Sequence, residues 1–551
     1  MNDKKITKES LTKMPQEDLA TLVLNLVTIV QTQDMEIANL KELYKLRTAE
    51  RYAPSSEQIG WLFPELEILN SVLNGQPEVE ETTEIAAHSR KKRQRINACT
   101  APADTPICDV FHTDGAVDTF TDEKGIVYKR VEDKIIDKIA IIPRKMAVER
   151  HYYAQYKALD VEAGKDNKKI ILPAKTDALG ASPSLVASVV VSKFDDHLPL
   201  YRQEEIFRRE GFFLSRQKLA NWVITYYEEL LPFIKYFKKQ VYNSAFLSKD
   251  ETKVSVLNVK APSGKPSKNG YMYITIGDTY DKQTQRTRSL VLLDYIQGRS
   301  GKVLFEDIGT YGYNSYLMTD GLKGYLSYEK HCVCWVHAVR QFKKILKIDK
   351  KNIHALGIVK EVAKLYDIDE EYRKTLLSGE IQTDKFLAVR KTASDDVIDK
   401  VYELLDEIRN SYSPSGAMAK AIDYLDTYKA YLRTYLEVVE ATPSNNACEL
   451  IAKAFATGRK NWLFAQSVDG ADASAFFYSL IETAKRSDLN PMDYVEAICT
   501  FGPGRKTDTE WEALLPDKID LAKLREIRAL RLAAKPDPSR ATPYNFVGAT
   551  R

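Results

Sequence analysis

Three acidic residues stand where a folded chain would ordinarily avoid charge. Asp250 lies in "AFLSKDETKVSVLN" among apolar and β-favouring residues, and Asp320 closes the apolar stretch of "YNSYLMTDGLKGY" just before Gly321. Glu449 falls in "TPSNNACELIAKAFATGRKNWLF", in the first turns of a helix that Ser444 or Asn445 would cap, beside apolar Leu450, Ala452 and Phe455. Carboxylates brought together repel, and burying them unpaired is costly. A hard divalent cation is the natural compensation, because Mg²⁺ takes carboxylate oxygens and keeps positions for water and phosphate. Two such ions, about 3.5–4 Å apart, can activate a water or a 3′-hydroxyl and stabilise the departing oxygen in phosphoryl transfer. Holding both normally needs a third acid. Asp250, Asp320 and Glu449 are therefore the candidate metal ligands and catalytic residues. Glu251 is a rival to Asp250, but successive strand residues point to opposite faces, so it reads as a supporting or surface acid.

The elements that would bring these acids together can be read from periodicity. A strand ends near Asp250, and "GYMYITIGDTYD" (270 to 281) and "TRSLVLLDYIQ" (287 to 297) are two more, joined by a polar turn. "GKVLFEDIG" is a short helix, "YNSYLMTDGLKGY" a fourth strand, "LKGYLSYEK" a helix and "HCVCWVHAV" a fifth, buried strand that contains Trp335. Three strands in meander, then helix, strand, helix and strand, is the order of a ribonuclease-H-like mixed sheet. Ligands in such α/β sheets sit where adjacent strands part at their ends, which would set Asp250 opposite Asp320. The spacing of 129 from Asp320 to Glu449 exceeds what an uninterrupted fold needs. "VIDKVYELLDEIRNSY" and "AMAKAIDYLDTYKAYLRTYLEVVE" have helical periodicity, so an all-helical insertion is expected from Ala338 to Glu440.

Upstream, Ser182 and Pro183 start one helix, "LPLYRQEEIFRREG" forms a second closed by Gly211, and "FFLSRQKLANWVITYYEELLPFIKYF" a third capped by Ser215. This is helix-turn-helix form, with Arg216, Gln217 and Lys218 as candidate DNA-binding residues in the first turn of the recognition helix. Arg459 and Lys460 in "GRKNW" are candidate phosphate contacts, and Trp462 is either core or a stacking surface for a base. Residues 125–159 alternate at period two and read as a small antiparallel sheet. Leu19, Leu22, Leu26, Ile29, Leu40 and Leu43 form a seam broken at Gln33 and Glu36, read as a short coiled coil that would pair protomers. Between the two, "PEVEETTE" and "SRKKRQRINA" switch from acid to base, as in a solvated linker; phosphate contact by Arg90, Lys91, Lys92, Arg93 and Arg95 is the alternative.

Composition bounds the rest. With 551 residues, 44% hydrophobic and 28% charged, the chain should divide into roughly three to five domains. A net charge of +3 is too small to name a partner, so any nucleic-acid surface must come from local clustering. Six cysteines with no CxxC pair argue for a reducing compartment. No signal peptide is visible, and "LATLVLNLVTIV" is too short and too polar to span a bilayer, so a cytoplasmic protein without membrane contact is expected.

The chain resembles the DDE transposases of bacterial insertion sequences, specifically the insertion sequence 66 family. The resemblance is carried by "RYAPSSEQ", "PLYRQEEIFRREGFFLSRQKLANWV", "DETKV", "TDGLKGY", "CWVHAVRQF", "NNACELIAKAFATGRKNWLFA" and "FYSLIETAK". It implies that Asp250, Asp320 and Glu449 are the family's catalytic acids, holding two Mg²⁺ ions for which Mn²⁺ can substitute. It also implies cleavage at terminal inverted repeats, strand transfer into target DNA, a homodimer or higher oligomer, small accessory proteins of the same element, and a nucleoid-associated location. A non-catalytic DNA-binding repressor or accessory protein, or a ribonuclease-H-like nuclease, is the alternative. The family's Cys-x-x-His motif falls on Cys334 and His337, read as structural support because two ligands make no zinc site. Many members carry a zinc module with CxxC pairs, for which this chain has only Cys99 and Cys108, with His112 and His151 as remote substitutes; zinc is not expected. The resulting organisation is 1–75 coiled-coil region, 76–98 charged linker, 99–175 small β module, 176–238 helix-turn-helix, 239–337 and 441–500 catalytic core, 338–440 insertion, and 501–551 tail.

Overall fold

Strands with continuous buried runs, at 246–249, 272–277 and 289–293, carry the centre of this protein. The structure, a computed structural model, describes residues 181–257, 259, 269–298, 301–321, 323–411 and 414–533, with Pro15 and four short strands before them. The coiled-coil seam, the charged linker, Cys99, Cys108, His112, His151 and the end of the tail lie outside the described residues. The chain falls into two units, Gln76–Tyr152 and a larger one made of Met1–Gly75 and Tyr153–Arg551. Within the smaller unit, β1 (Thr119–Thr121) pairs antiparallel with β2 (Val127–Lys129). In the larger unit, β3 (Gln155–Tyr156) pairs antiparallel with β4 (Ile170–Ile171).

The larger unit then begins four helices. In α1 (Pro183–Phe194) Ser182 caps the start by accepting from the Leu185 amide, and α2 (Leu200–Arg209) ends before Gly211, whose φ of 87° suits a residue without Cβ. Ser215 caps α3 (Arg216–Glu229) through the Lys218 amide. The long third helix expected from the sequence is in fact two, because the chain breaks at Leu230 and restarts as α4 (Leu231–Tyr242) with Pro232 in its first turn.

Next comes a five-stranded mixed sheet in the order β7-β6-β5-β8-β9. Strands β5 (Phe246–Ser255), β6 (Asn269–Asp281) and β7 (Arg286–Ile296) form an antiparallel meander. Helix α5 (Gly301–Thr310) leads to β8 (Tyr316–Thr319), which pairs parallel with β5, and β9 (His331–Val333) pairs parallel with β8. Three local expectations are corrected. β5 runs five residues past Asp250; "LKGYLSYEK" makes only a single 3-10 turn, Lys323–Tyr325; and the fifth strand is three residues long. Trp335 is not in that strand: it starts helix α6 (Trp335–Ile348) behind Cys334. A short apolar run fits a buried strand or a buried helix equally well. Here the Trp335 amide donates to Pro443 O and its indole to Leu432 O, outside any sheet.

The insertion is helical, built from α7 (Ile353–Leu377), α8 (Thr383–Ser411) and α9 (Gly416–Thr427). It shares one apolar core with the sheet, in which Phe246, Met318 and Cys332 meet Phe342, Val362, Ile398 and Leu425. Helices α10 (Asn446–Trp462), α11 (Val468–Arg486) and α12 (Pro491–Phe501) follow. Edge strand β7 is covered by α11: Ser479 and Thr483 hydroxyls accept from the Leu293 and Val291 amides at 2.7 and 2.9 Å. Amides that would otherwise template another strand are thereby satisfied. Among its described residues the tail holds two helices rather than one, α13 (Asp508–Glu512) and α14 (Ala522–Ala533). No helix among the described residues is long and apolar enough to cross a membrane.

Candidate active site

Register places two of the acids level with one another. Phe246 pairs with Tyr316 and Ser248 with Met318, an offset of 70 residues, and Asp320 stands at the same offset from Asp250, one step past the end of β8. Both acids therefore lie two residues beyond the last paired position, where β5 continues and β8 turns away. Neighbouring strands are about 4.8 Å apart, so carboxylates at this level are close. Gly321 follows in a left-handed conformation (φ 86°), and a Cβ there would meet the Tyr424 hydroxyl at 2.6 Å. That hydroxyl donates to Asp320 O at 3.0 Å, and Tyr428 donates to Gly321 O. Thr319 Oγ1 pairs with His331 Nε2 at 2.8 Å and also accepts from the Gly321 amide. Burial pushes His331 down to about 4, so it stays neutral at physiological pH.

The third acid arrives on α10. Asn445 occupies the helix-cap position, but its side chain does not cap: Nδ2 donates to Lys249 O at 2.8 Å, beside Asp250 on β5. Its amide donates to Cys334 Sγ at 3.1 Å. One buried residue thus ties the start of α10 to both the central strand and the start of α6. Four residues on, Glu449 is buried, and Arg340 Nη2 reaches both of its carboxylate oxygens at 3.1 Å. His337 Nε2 lies 3.6 Å from Oε1 and Lys453 Nζ 3.8 Å from Oε2.

Asp320 and Glu449 both bear electrostatically on Asp250. Burial lifts the Asp250 carboxyl to about 7, and the negative charges of Glu251, Asp320 and Glu449 push it the same way. The Glu251 amide, donating to Oδ1 at 2.8 Å, pulls it back in part. Lys249, its buried neighbour, gives no relief, since its Nζ donates to Tyr242 Oη at 3.0 Å. Tyr325 is buried near Glu251, Asp320 and Asp250, and its hydroxyl has no hydrogen-bond partner in the protein; nor has Asn445 Oδ1. Among the described residues the ligand atoms of Asp250, Asp320 and Glu449 do not gather into one cluster within 4.8 Å; a buried Asp250 level with Asp320, with polar atoms left unspent nearby, is nonetheless a donor set suited to a hard divalent cation.

Of the other residues singled out from the sequence, Arg216, Gln217 and Lys218 are exposed at the start of α3, and Lys218 Nζ lies 5.2 Å from the Trp222 ring. Lys460 is exposed and Arg459 half-buried in the last turn of α10. Trp462 packs edge-on against Phe194, with ring centroids 6.1 Å apart, which assigns at least one face of it to the interior. Burial pushes the Cys334 thiol up to about 12, opposed by the amides of Asn445, His337 and Val336. Sequence reasoning missed Arg340, Tyr424 and Tyr428, and the bond of the Asn445 side chain to Lys249 O. Arg340 had a visible signal, three residues after His337 on the same helical face.

A family model described as "Transposase IS66 family" matches residues 179–473, more than half of the chain. The chain belongs to this transposase family. It is similar to three uncharacterized proteins of Sinorhizobium fredii. It is 28% identical to y4jD over 410 residues (70% of this chain, 75% of that one) and 25% identical to y4qI over 525 residues (90% and 92%). With y4hP it shares 25% over 475 residues (82% and 83%). Among solved structures, the "Drosophila P element transposase strand transfer complex" aligns at 13% identity over 58% of this chain and 92% of that one, with a TM-score of 0.19.

Proposed function

We propose that this protein is a transposase whose mixed sheet is a ribonuclease-H-like core and whose Asp250, Asp320 and Glu449 are its DDE acids. The observation that supports the reading is that Asp250 and Asp320 stand at the same level of two adjacent strands, with Asp250 raised by burial and further by the charges of Glu251, Asp320 and Glu449. Two Mg²⁺ ions, when bound, supply the Lewis acidity for phosphoryl transfer. The chain's own residues do the rest. Asp250 must be ionised to act as a ligand, Asp320 is fixed through the Tyr424 and Tyr428 hydroxyls, and Glu449 is oriented by Arg340 and His337. Arg216, Gln217 and Lys218 meet the element ends, Arg459 and Lys460 meet phosphates, and the N-terminal seam pairs protomers so that both ends are handled together, in the bacterial nucleoid.

The test is to incubate the purified chain with labelled DNA ends flanking its own coding sequence and a target plasmid, in Mg²⁺. Ends covalently joined to the plasmid are expected. Binding without cleavage would replace this reading with an accessory DNA-binding role, and cleavage without joining would replace it with a nuclease.

A further inference from the structure

The sequence offers Cys334 and His337 as two potential ligands, and the fold adds a third. Cys334 Sγ, a His337 ring nitrogen and a Glu449 carboxylate oxygen lie within 4.8 Å of one another. They come from both sides of one junction: Cys334 and His337 span the first turn of α6, and Glu449 the first turn of α10. Thiolate, imidazole and carboxylate together are a donor set for a borderline-soft ion, unlike the all-oxygen set of Asp250 and Asp320.

We propose that Cys334, His337 and Glu449 bind one Zn²⁺-class cation, and that this site competes with the catalytic one because Glu449 belongs to both. The two carboxylate oxygens of Glu449 differ in their other neighbours. Oε1 is the oxygen facing His337 Nε2, at 3.6 Å, whereas Oε2 is the one beside Lys453. Arg340 Nη2 now bonds both oxygens at 3.1 Å; the metal displaces it from Oε1, and Oε2 stays with Arg340 and Lys453. Zinc bonds of roughly 2.0–2.3 Å put tetrahedral ligands between about 3.3 and 3.8 Å apart, so the junction has to close by about 1 Å. The Asn445 amide already points at the sulfur and stays as a hydrogen bond to the thiolate. On binding, the Cys334 proton leaves to solvent, the metal–sulfur bond replaces it, and a fourth position remains for water. Occupancy removes Glu449 from the other acids. The inhibitory half of this inference rests on the transposase reading above; the binding half does not.

Cobalt separates the two. The full-length chain, titrated with Co²⁺ in Mg²⁺ buffer, is expected to show the sulfur-to-cobalt charge-transfer band, displaced by one equivalent of Zn²⁺. Cys334→Ser should lose the band and His337→Gln should weaken Zn²⁺ binding at least about 100-fold, while Cys99→Ser keeps both. Circular dichroism at each variant's working temperature reports whether it is folded, and His337→Gln serves if Cys334→Ser is not. A wild-type chain without the band, or a band that survives in folded Cys334→Ser, overturns the site. In the joining assay, Zn²⁺ should inhibit the wild type in competition with Mg²⁺. Cobalt ligation without such inhibition would retain the site but overturn its competition with the catalytic ions.

Discussion

Asp250 concentrates the physical conflict of this site in a single carboxyl. Its ordinary value is 3.8 and its folded value about 7, so between these pH values the native chain holds a proton that the unfolded chain has released. Metal-free stability therefore falls as pH rises through that window, and the full cost is present above about 7. Asp250→Asn removes the charge and keeps the shape. It is expected to stabilise the metal-free protein at pH 8 by on the order of 1–3 kcal/mol and to have little effect at pH 4, as urea unfolding at the two pH values will show. The same proton competes with a cation. Divalent-ion affinity should climb as pH rises toward about 7, by at most about tenfold per unit, and level off above it, which calorimetric titration from pH 5.5 to 8.5 can follow. A flat profile would mean that Asp250 is not a ligand.

The position of each acid depends on the element that delivers it, and these elements were unequally legible. The three-strand meander follows from apolar, β-favouring runs separated by a polar turn, and the helices of the insertion from 3.6-residue periodicity, because each of these helices buries one face. The stretch from Asp320 to Trp335 was misread. Among its described residues only His331–Val333 pairs, and no local pattern distinguishes a three-residue strand and a helix start from a longer strand. Asn445 was recognised as a cap from its type and place, but its side chain is committed to Lys249 O, a partner almost two hundred residues away that no window can reveal. Asn445→Ala leaves that carbonyl and the α10 start unconnected. We expect a loss of about 1–3 kcal/mol in unfolding free energy, with divalent-ion binding weakened alongside it. An unchanged ion affinity would separate the helix anchor from the acid it carries.

At the scale of the molecule, the insertion is part of the site's support. Arg390, fully buried on α8, donates to Asp369 and to the carbonyls of Ala441, Tyr435 and Val438. Arg373 on α7 donates to Asp369 and to Val439 and Ala441 carbonyls. Two helices of the insertion thus grip the segment that leads into the Glu449 helix, and Glu440 within it accepts from the Tyr280 amide at the end of β6. Arg390→Met should cost about 2–4 kcal/mol, since it takes the donor from the Tyr435 and Val438 carbonyls in the core and leaves Asp369 to Arg373 alone, and thermal melts will register it. Charge of this kind was invisible in the sequence, where Arg390 is one basic residue on a helix rich in charge.

All of this converges on whether the three acids act as one cluster. The most direct measurement is strand transfer in Mg²⁺ by Asp250→Asn, Asp320→Asn and Glu449→Gln, each beside its own DNA-end binding. Each variant is predicted to lose at least about 10³-fold in joining while binding the ends within about twofold of the wild type. Joining near the wild-type rate by any one of them, Glu449→Gln above all, would contradict the account.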